Sequence, residues 1–222
     1  MDWTSYHPIE DIHSYLDYLE DNYDIVSTES IGQSYEGSDM RIARVCKGGC
    51  GDKPAIWLDS GMRAREWIGP AALTYMLREL VENNDDHEDL TDNLDWYILP
   101  VMNPDGYLYT QERDRMWRKT RSTSGGVLGC VGTDVNCNFG FHWGDCSDNP
   151  CSSIFRGKEA FSEVETRNVR DFLLGREGSI KVYNSMRSYG QTIDLPWCWT
   201  QDTPDTYDQI LALAMKGNQE LG

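Results

Sequence analysis

The sequence predicts an α/β fold in which a largely parallel or mixed sheet is covered by helices on both faces. Short apolar runs such as "KPAIWLDSG" and "NLDWYILPVMNPDG" have the length and the turn endings of buried strands. Between the runs lie segments whose apolar residues recur at helical spacing, long enough to serve as crossovers. No repeat, low-complexity tract or interior linker interrupts the 222 residues, and a 39% hydrophobic content suits one domain over 1–222.

Each element follows from a local pattern. Pro8, then Ile12, Leu16 and Leu19, read as an amphipathic first helix opened by "HPIED". "YDIVSTESIGQSYEGSDMRIARVCK" reads as two strands around a glycine-containing turn. "KPAIWLDSG" is a third strand, and Ile68, Leu73, Met76, Leu77, Leu80 and Val81 place a helix directly after it. "NLDWYILPVMNPDG" is a strand closed by a turn at Asn103-Pro104-Asp105-Gly106. Residues from about 107 to 160 read as irregular. Ser162 and Glu165 have capping-box spacing ahead of Val169, Phe172 and Leu173, which predicts a helix. "SIKVYNSMRSYG" is a further strand, and "TPDTYDQILALAMKGNQE" a last helix with Pro204 in its first turn. Sites in open sheets gather beyond the carboxyl ends of strands, where "DSGMRARE" and "NSMRSYG" both fall.

The formal net charge of −17 repels polyanions, so nucleic acid and anionic membranes are excluded as partners. No run is long enough to span a bilayer. Seven cysteines in this length favour an oxidising compartment, and the odd count leaves at least one thiol unpaired. No Cys-x-x-Cys pair suggests a zinc ribbon or a thioredoxin-like site. None of His7, His13, His87 and His142 has metal or triad spacing to Glu66, and no Gly-x-Ser-x-Gly elbow is present.

Five motifs in register, "GMRAREWIGPA", "PVMNPDGYLYT", "RMWRKTRS", "CVGTDVNCNFGFHWG" and "EAFSEVETRNVRDF", resemble the A/B-type zinc metallocarboxypeptidases, from Tyr6 to the last residue. The resemblance implies a three-layer α/β/α sandwich with a mixed, mostly parallel twisted sheet. It also implies one catalytic zinc, release of C-terminal amino acids from peptides, and an extracellular setting. The family binds zinc through a His and a Glu three residues apart and a second, distant His. Mapped here, those positions are Arg63, Glu66 and Arg187, so only the glutamate is retained. A guanidinium stays protonated and has no lone pair to give a metal. At about 5 Å and an effective dielectric near 20, each Arg–Zn²⁺ approach costs on the order of 6–7 kcal/mol. Zinc is therefore expected to be absent or very weakly bound, with both arginines paired to Glu66 or, alternatively, turned out to solvent.

The resemblance further maps Arg118 to the arginine that stabilises the developing oxyanion, Arg65 to a substrate-contacting arginine and Tyr189 to a subsite tyrosine. Asn136 falls on half of the Asn-Arg pair that clamps the substrate's terminal carboxylate, and Cys137 stands where the clamp arginine belongs. The family's closing strand and last helix have no counterpart after "YDQILALAMKGNQELG", which implies a truncated chain without the glutamate general base. Cys130–Cys151 is the disulfide the resemblance implies. Cys46–Cys50 and Cys146–Cys198 are further candidate pairs, with Cys137 as the odd thiol. Three readings follow: an active enzyme, an inactive member, and an altered or partial copy of an active carboxypeptidase. The loss of two metal ligands, the base and the clamp favours the inactive member, a monomer whose cationic pocket of Arg63, Arg65, Arg118 and Arg187 takes peptide C-termini or small anions.

Overall fold

The computed structural model describes residues 1–123 and 129–221, without the side chain of Leu221. Two compact units, Met1–Arg187 and Ser188–Gly222, are described separately. In the first, helix α1 (Ile9–Asn22) precedes strands β1 (Val26–Gln33), β2 (Asp39–Val45) and β3 (Ala55–Asp59). Helix α2 (Ile68–Val81), the short α3 (Glu88–Asn93), strand β4 (Asp95–Leu99) and helix α4 (Pro104–Glu112) follow. Helix α5 (Val164–Leu174) and strand β5 (Ile180–Ser185) complete the unit. The second unit carries α6 (Tyr207–Leu221).

The five strands lie in the order β1-β2-β4-β3-β5. β1, β2 and β4 pair antiparallel, whereas β3 pairs parallel with both β4 and β5. The sheet is thus mixed, as expected, and its parallel half is the half that carries the site. Alternation along the strands sends side chains to two cores. Ala43, Val45, Leu58, Trp96 and Ile98 pack with Tyr15, Leu16 and Leu19 of α1 and Leu73, Leu77 and Leu80 of α2. Met40, Ile42, Trp57, Tyr97 and Leu99 pack on the opposite face with Val169 and Phe172 of α5. Helix, sheet and helix form the three layers. All five residues of β4 are buried, as a central strand between two helical layers requires.

Several local expectations are corrected. Asn103-Pro104-Asp105-Gly106 does not end in an irregular stretch but opens α4, with the Asn103 side chain accepting from the Gly106 amide at 3.0 Å. Pro104 then sits in the first turn, where its missing N–H costs nothing. The capping box at α5 does not form. The N-cap is Glu163, and the Glu165 carboxylate accepts instead from the Tyr35 amide at 3.0 Å. Pro204 precedes α6 rather than lying within it: its carbonyl accepts from the amide of Tyr207, where the helix begins.

Glu165 belongs to a buried acidic knot that joins three segments. Asp105 of α4 accepts from the Ser34 hydroxyl at 2.5 Å and the Glu36 amide at 2.8 Å, fixing the β1–β2 turn. Glu163 accepts from the hydroxyls of Thr120 and Ser122 at 2.8 and 2.5 Å. Glu165 is fully buried, and its Oε2 has no hydrogen-bond partner among the described residues. Burial pushes its carboxyl up from 4.5 to about 7, and the charges of Glu163 and Asp105 add to the shift. The folded state therefore holds a proton that the unfolded chain releases near pH 4.5. The stabilisation is complete below that pH and is lost as pH rises through about 7. Chemical denaturation should show stability falling between pH 5 and 8, by on the order of 3 kcal/mol from this group. Glu165→Gln should flatten that fall, and an unchanged pH profile in the variant would contradict the assignment.

Candidate functional site

The site is built at the carboxyl ends of the parallel strands, where Asp59 of β3 stands opposite Ser185 of β5. The Met186 amide donates to the Asp59 carbonyl at 2.7 Å, so residues 186–187 leave the sheet beside the loop that follows β3. That loop turns at Gly61, whose φ of +66° favours glycine and which packs against the Val101 backbone. It is held from two more sides. Met102 donates to the Ser60 carbonyl at 2.9 Å, and Ala64 donates to the Arg118 carbonyl at 3.1 Å. Asn103, besides capping α4, donates from Nδ2 to the Lys119 carbonyl at 3.0 Å. Gly106 allows this approach, because a Cβ there would lie 2.6 Å from both that carbonyl and Asn103 Nδ2. Four chain segments thus converge through backbone geometry before any charge is considered.

Glu66 lies at the centre and is only 7% exposed. Arg63 Nη1 donates to its Oε1 at 3.0 Å, and Arg187 Nε donates to its Oε2 at 3.3 Å. The two arginines, separated by more than a hundred residues of chain, meet on one carboxylate. Of the two arrangements open at the outset, the paired one is the arrangement present. Arg187 Nη1 also donates to Asn136 Oδ1 at 2.9 Å and lies 3.5 Å from the Met62 sulfur. Arg63 Nε and Arg187 Nη2 are buried and make no hydrogen bond among the described residues. Beneath the site, Asp59 is fully buried and accepts from Trp57 Nε1 at 2.7 Å and Ser185 Oγ at 2.6 Å. Burial raises its carboxyl above the usual range, against the lowering effect of those bonds and of Arg187.

Arg118 is held rather than free. Its Nε and Nη2 both reach Oδ2 of the fully buried Asp134, at 3.1 and 2.5 Å. Asp134 also accepts from the Asn136 amide at 3.3 Å, which sets the short turn Val135–Cys137. Arg65 makes no side-chain hydrogen bond or ion pair among the described residues, and its carbonyl accepts from Arg115 Nη1 at 2.8 Å. The Arg115 guanidinium stacks 3.7 Å from the centre of the Trp67 ring. Arg63, Glu66, Asn136, Arg118 and Arg187 are therefore brought together, with Arg65 on the same loop. Tyr189 lies in the second unit, where it is exposed. Sequence reasoning missed Asp134 and Arg115; the only signal for Asp134 was its place as a turn-capping residue in "GTDVNCN".

The expectation for Cys137 is corrected. It is bonded to Cys146, and Cys46–Cys50 and Cys130–Cys151 are the other bridges, the latter pair as the resemblance implied. Cys146–Cys198 does not form, and the free thiol is the exposed Cys198 of the second unit. The reason is local: Cys146, at a sequence separation of 9, comes back to the turn that carries Cys137, with the Cα atoms 6.0 Å apart.

Residues 12–222 match the zinc carboxypeptidase family profile. The chain belongs to the zinc carboxypeptidase family. It is 48% identical to carboxypeptidase B of Astacus astacus over 96% of this chain and 71% of that protein. Against carboxypeptidase B of Rattus norvegicus it is 39% identical, covering 99% of this chain and 54% of that one. Carboxypeptidase A from Helicoverpa armigera superposes with a TM-score of 0.94 at 32% identity, covering 99% of this chain and 54% of that chain. Thrombin-activatable fibrinolysis inhibitor superposes with a TM-score of 0.90 at 36% identity, over 96% and 55% respectively. The expected carboxypeptidase-like α/β architecture is therefore present.

Zinc is the cofactor for which the family is named, and the residues at positions 63, 66 and 187 do not fit it. A zinc site needs nitrogen, oxygen or sulfur lone pairs within about 2.0–2.3 Å of one ion. Here two of the three groups are cations without lone pairs, and they occupy both oxygens of the third. Among the described residues no group of three His, Cys, Asp or Glu side chains is placed to hold a metal. Alkylation of the native, unreduced protein should label Cys198 alone, and peptide mapping should recover Cys137 linked to Cys146. Labelling at Cys137 would contradict the bridge.

Proposed function

We propose that this chain is a non-hydrolytic member of the zinc carboxypeptidase family that holds no zinc and recognises peptide C-termini or small anions through a cationic pocket. The observation that carries the reading is the double pairing of Glu66 by Arg63 and Arg187. Hydrolysis in this family rests on a metal that polarises the scissile carbonyl and activates water. Arg63 and Arg187 place two permanent positive charges in the space such an ion needs, and they engage the one carboxylate that would bind it. The clamp position is also changed, because Cys137 is consumed in a disulfide and offers no bidentate donor for a terminal carboxylate.

Binding is a separate matter from hydrolysis. Arg63 and Arg187 share Glu66, Arg118 holds Asp134, and Arg65 and Arg115 lie on or against the same loop, so guanidiniums outnumber their paired carboxylates in a protein of net charge −17. A local excess of positive charge in an acidic molecule draws anions toward one place. Arg118, fixed on Asp134, is the residue assigned to the substrate carbonyl, and Arg65 and Asn136 are assigned to peptide contacts. Three disulfides point to an oxidising compartment, which supports action outside the cell, and we assign the protein as a monomer. No described helix is long and apolar enough to cross a membrane. The alternative, an altered or partial copy of an active zinc carboxypeptidase, is favoured by its 48% identity to the Astacus astacus enzyme.

Elemental analysis and a C-terminal hydrolase assay test the proposal. The unmodified chain should carry no stoichiometric zinc, release no C-terminal amino acid, and keep its melting temperature in excess chelator. Arg63→His/Arg187→His should take up zinc and become stabilised by it, since binding to the native state alone raises stability. Stoichiometric zinc in the unmodified chain would overturn the proposal.

A further inference from the structure

We infer that Arg63 and Arg187 form a seat for an oxyanion, either a carboxylate or an inorganic sulfate or phosphate, and that Glu66 is the internal competitor that sets its affinity. The inference rests on the anion-binding reading above and goes beyond it by naming the donors and the brake. A guanidinium has five N–H donors in a fixed plane. Arg63 uses Nη1 on Glu66, and Arg187 uses Nε on Glu66 and Nη1 on Asn136. Among the remaining donors, Arg63 Nε and Arg187 Nη2 are both buried and both without a hydrogen bond among the described residues. Buried N–H groups on cations carry a desolvation penalty that an anionic acceptor removes, with charge-assisted hydrogen bonds in return. Because both side chains already touch one carboxylate, an oxyanion that reaches either of these donors lies close to both guanidiniums.

Glu66 is chemically the same kind of group as the proposed ligand. Its two oxygens take one donor from each arginine, as an incoming carboxylate would, and its charge repels any anion that settles beside it. The other acid that acts on Arg187 is Asp59, which spends its oxygens on Trp57 and Ser185. Glu66 is therefore the group whose charge weighs most against the ligand. Arg63 and Arg187 remain 27% and 26% exposed, so solvent reaches the seat and moderates the effect.

Calorimetric titration at constant ionic strength tests the inference, with sodium sulfate, an N-acetylated dipeptide bearing a free C-terminal carboxylate, and the same dipeptide as its amide. Glu66→Gln keeps the shape and removes the charge, and should bind sulfate and the free acid roughly ten- to a hundredfold tighter than the unmodified chain. Arg63→Lys keeps the charge but deletes the Nε–H, and should bind both probes about tenfold more weakly. The amide should bind no better in Glu66→Gln than in the unmodified chain. Equal affinities in Glu66→Gln and the unmodified chain would overturn the role of Glu66 while leaving the anion pocket standing. Absence of binding by both proteins would overturn the pocket and the inference together. Should Glu66→Gln lose its far-ultraviolet circular dichroism, Arg63→Lys decides, and sulfate affinity unchanged by that substitution would overturn the seat.

Discussion

A nearly buried carboxylate at the mouth of a parallel sheet is the constraint on which this site depends. Taking Glu66 out of water without an opposite charge costs several kcal/mol, so the fold must supply positive charge there. It does so from two directions. Arg63 comes from the same loop, and Arg187 comes from the end of β5, so the ion pairs tie the exits of two adjacent parallel strands to each other. The loop after β3 can present these groups because its backbone is held by Met102, Asn103 and Arg118 from neighbouring segments. Charge and backbone hold the same few residues in place.

The same logic recurs one shell away. Arg118 reaches its position because Asp134, itself fully buried, needs a counter-charge, and the turn that Asp134 caps carries Asn136 and Cys137. The Cys137–Cys146 bridge then closes the loop over that turn. The cluster sets three guanidiniums, those of Arg63, Arg187 and Arg118, on two buried carboxylates, Glu66 and Asp134. The sandwich that supports it superposes on carboxypeptidase A from Helicoverpa armigera with a TM-score of 0.94. The acidic knot of Asp105, Glu163 and Glu165 lies in the supporting structure, where it locks the β1–β2 turn to the starts of α4 and α5. Fold and site are thus separable here: the layers form with arginine at positions 63 and 187 and a disulfide-bonded cysteine at 137.

Much of this was legible in the residues. Apolar runs found β3 and β4, and helical spacing found α1, α2 and α5, because those patterns report burial directly. α4 was hidden by Asn103-Pro104-Asp105-Gly106, whose composition suits a turn as well as a helix start. The capping box failed because Glu165 found the distant Tyr35 amide, a tertiary partner that local spacing cannot reveal. Motifs in register placed Arg63, Glu66 and Arg187 in one site. They did not reveal that Asp134 would hold Arg118, since the two residues stand 16 apart in sequence. Cysteine spacing does not determine connectivity, and so the partner of Cys137 could be read only from the fold.

The central claim is that guanidiniums, and not a metal, satisfy Glu66. A crystal structure of the protein grown with excess zinc, with diffraction recorded above and below the zinc absorption edge, examines it directly. The account predicts no anomalous peak at Glu66 and guanidinium nitrogens at hydrogen-bonding distance from both carboxylate oxygens. An anomalous peak about 2.0–2.2 Å from a Glu66 oxygen, with Arg63 and Arg187 displaced, would contradict it.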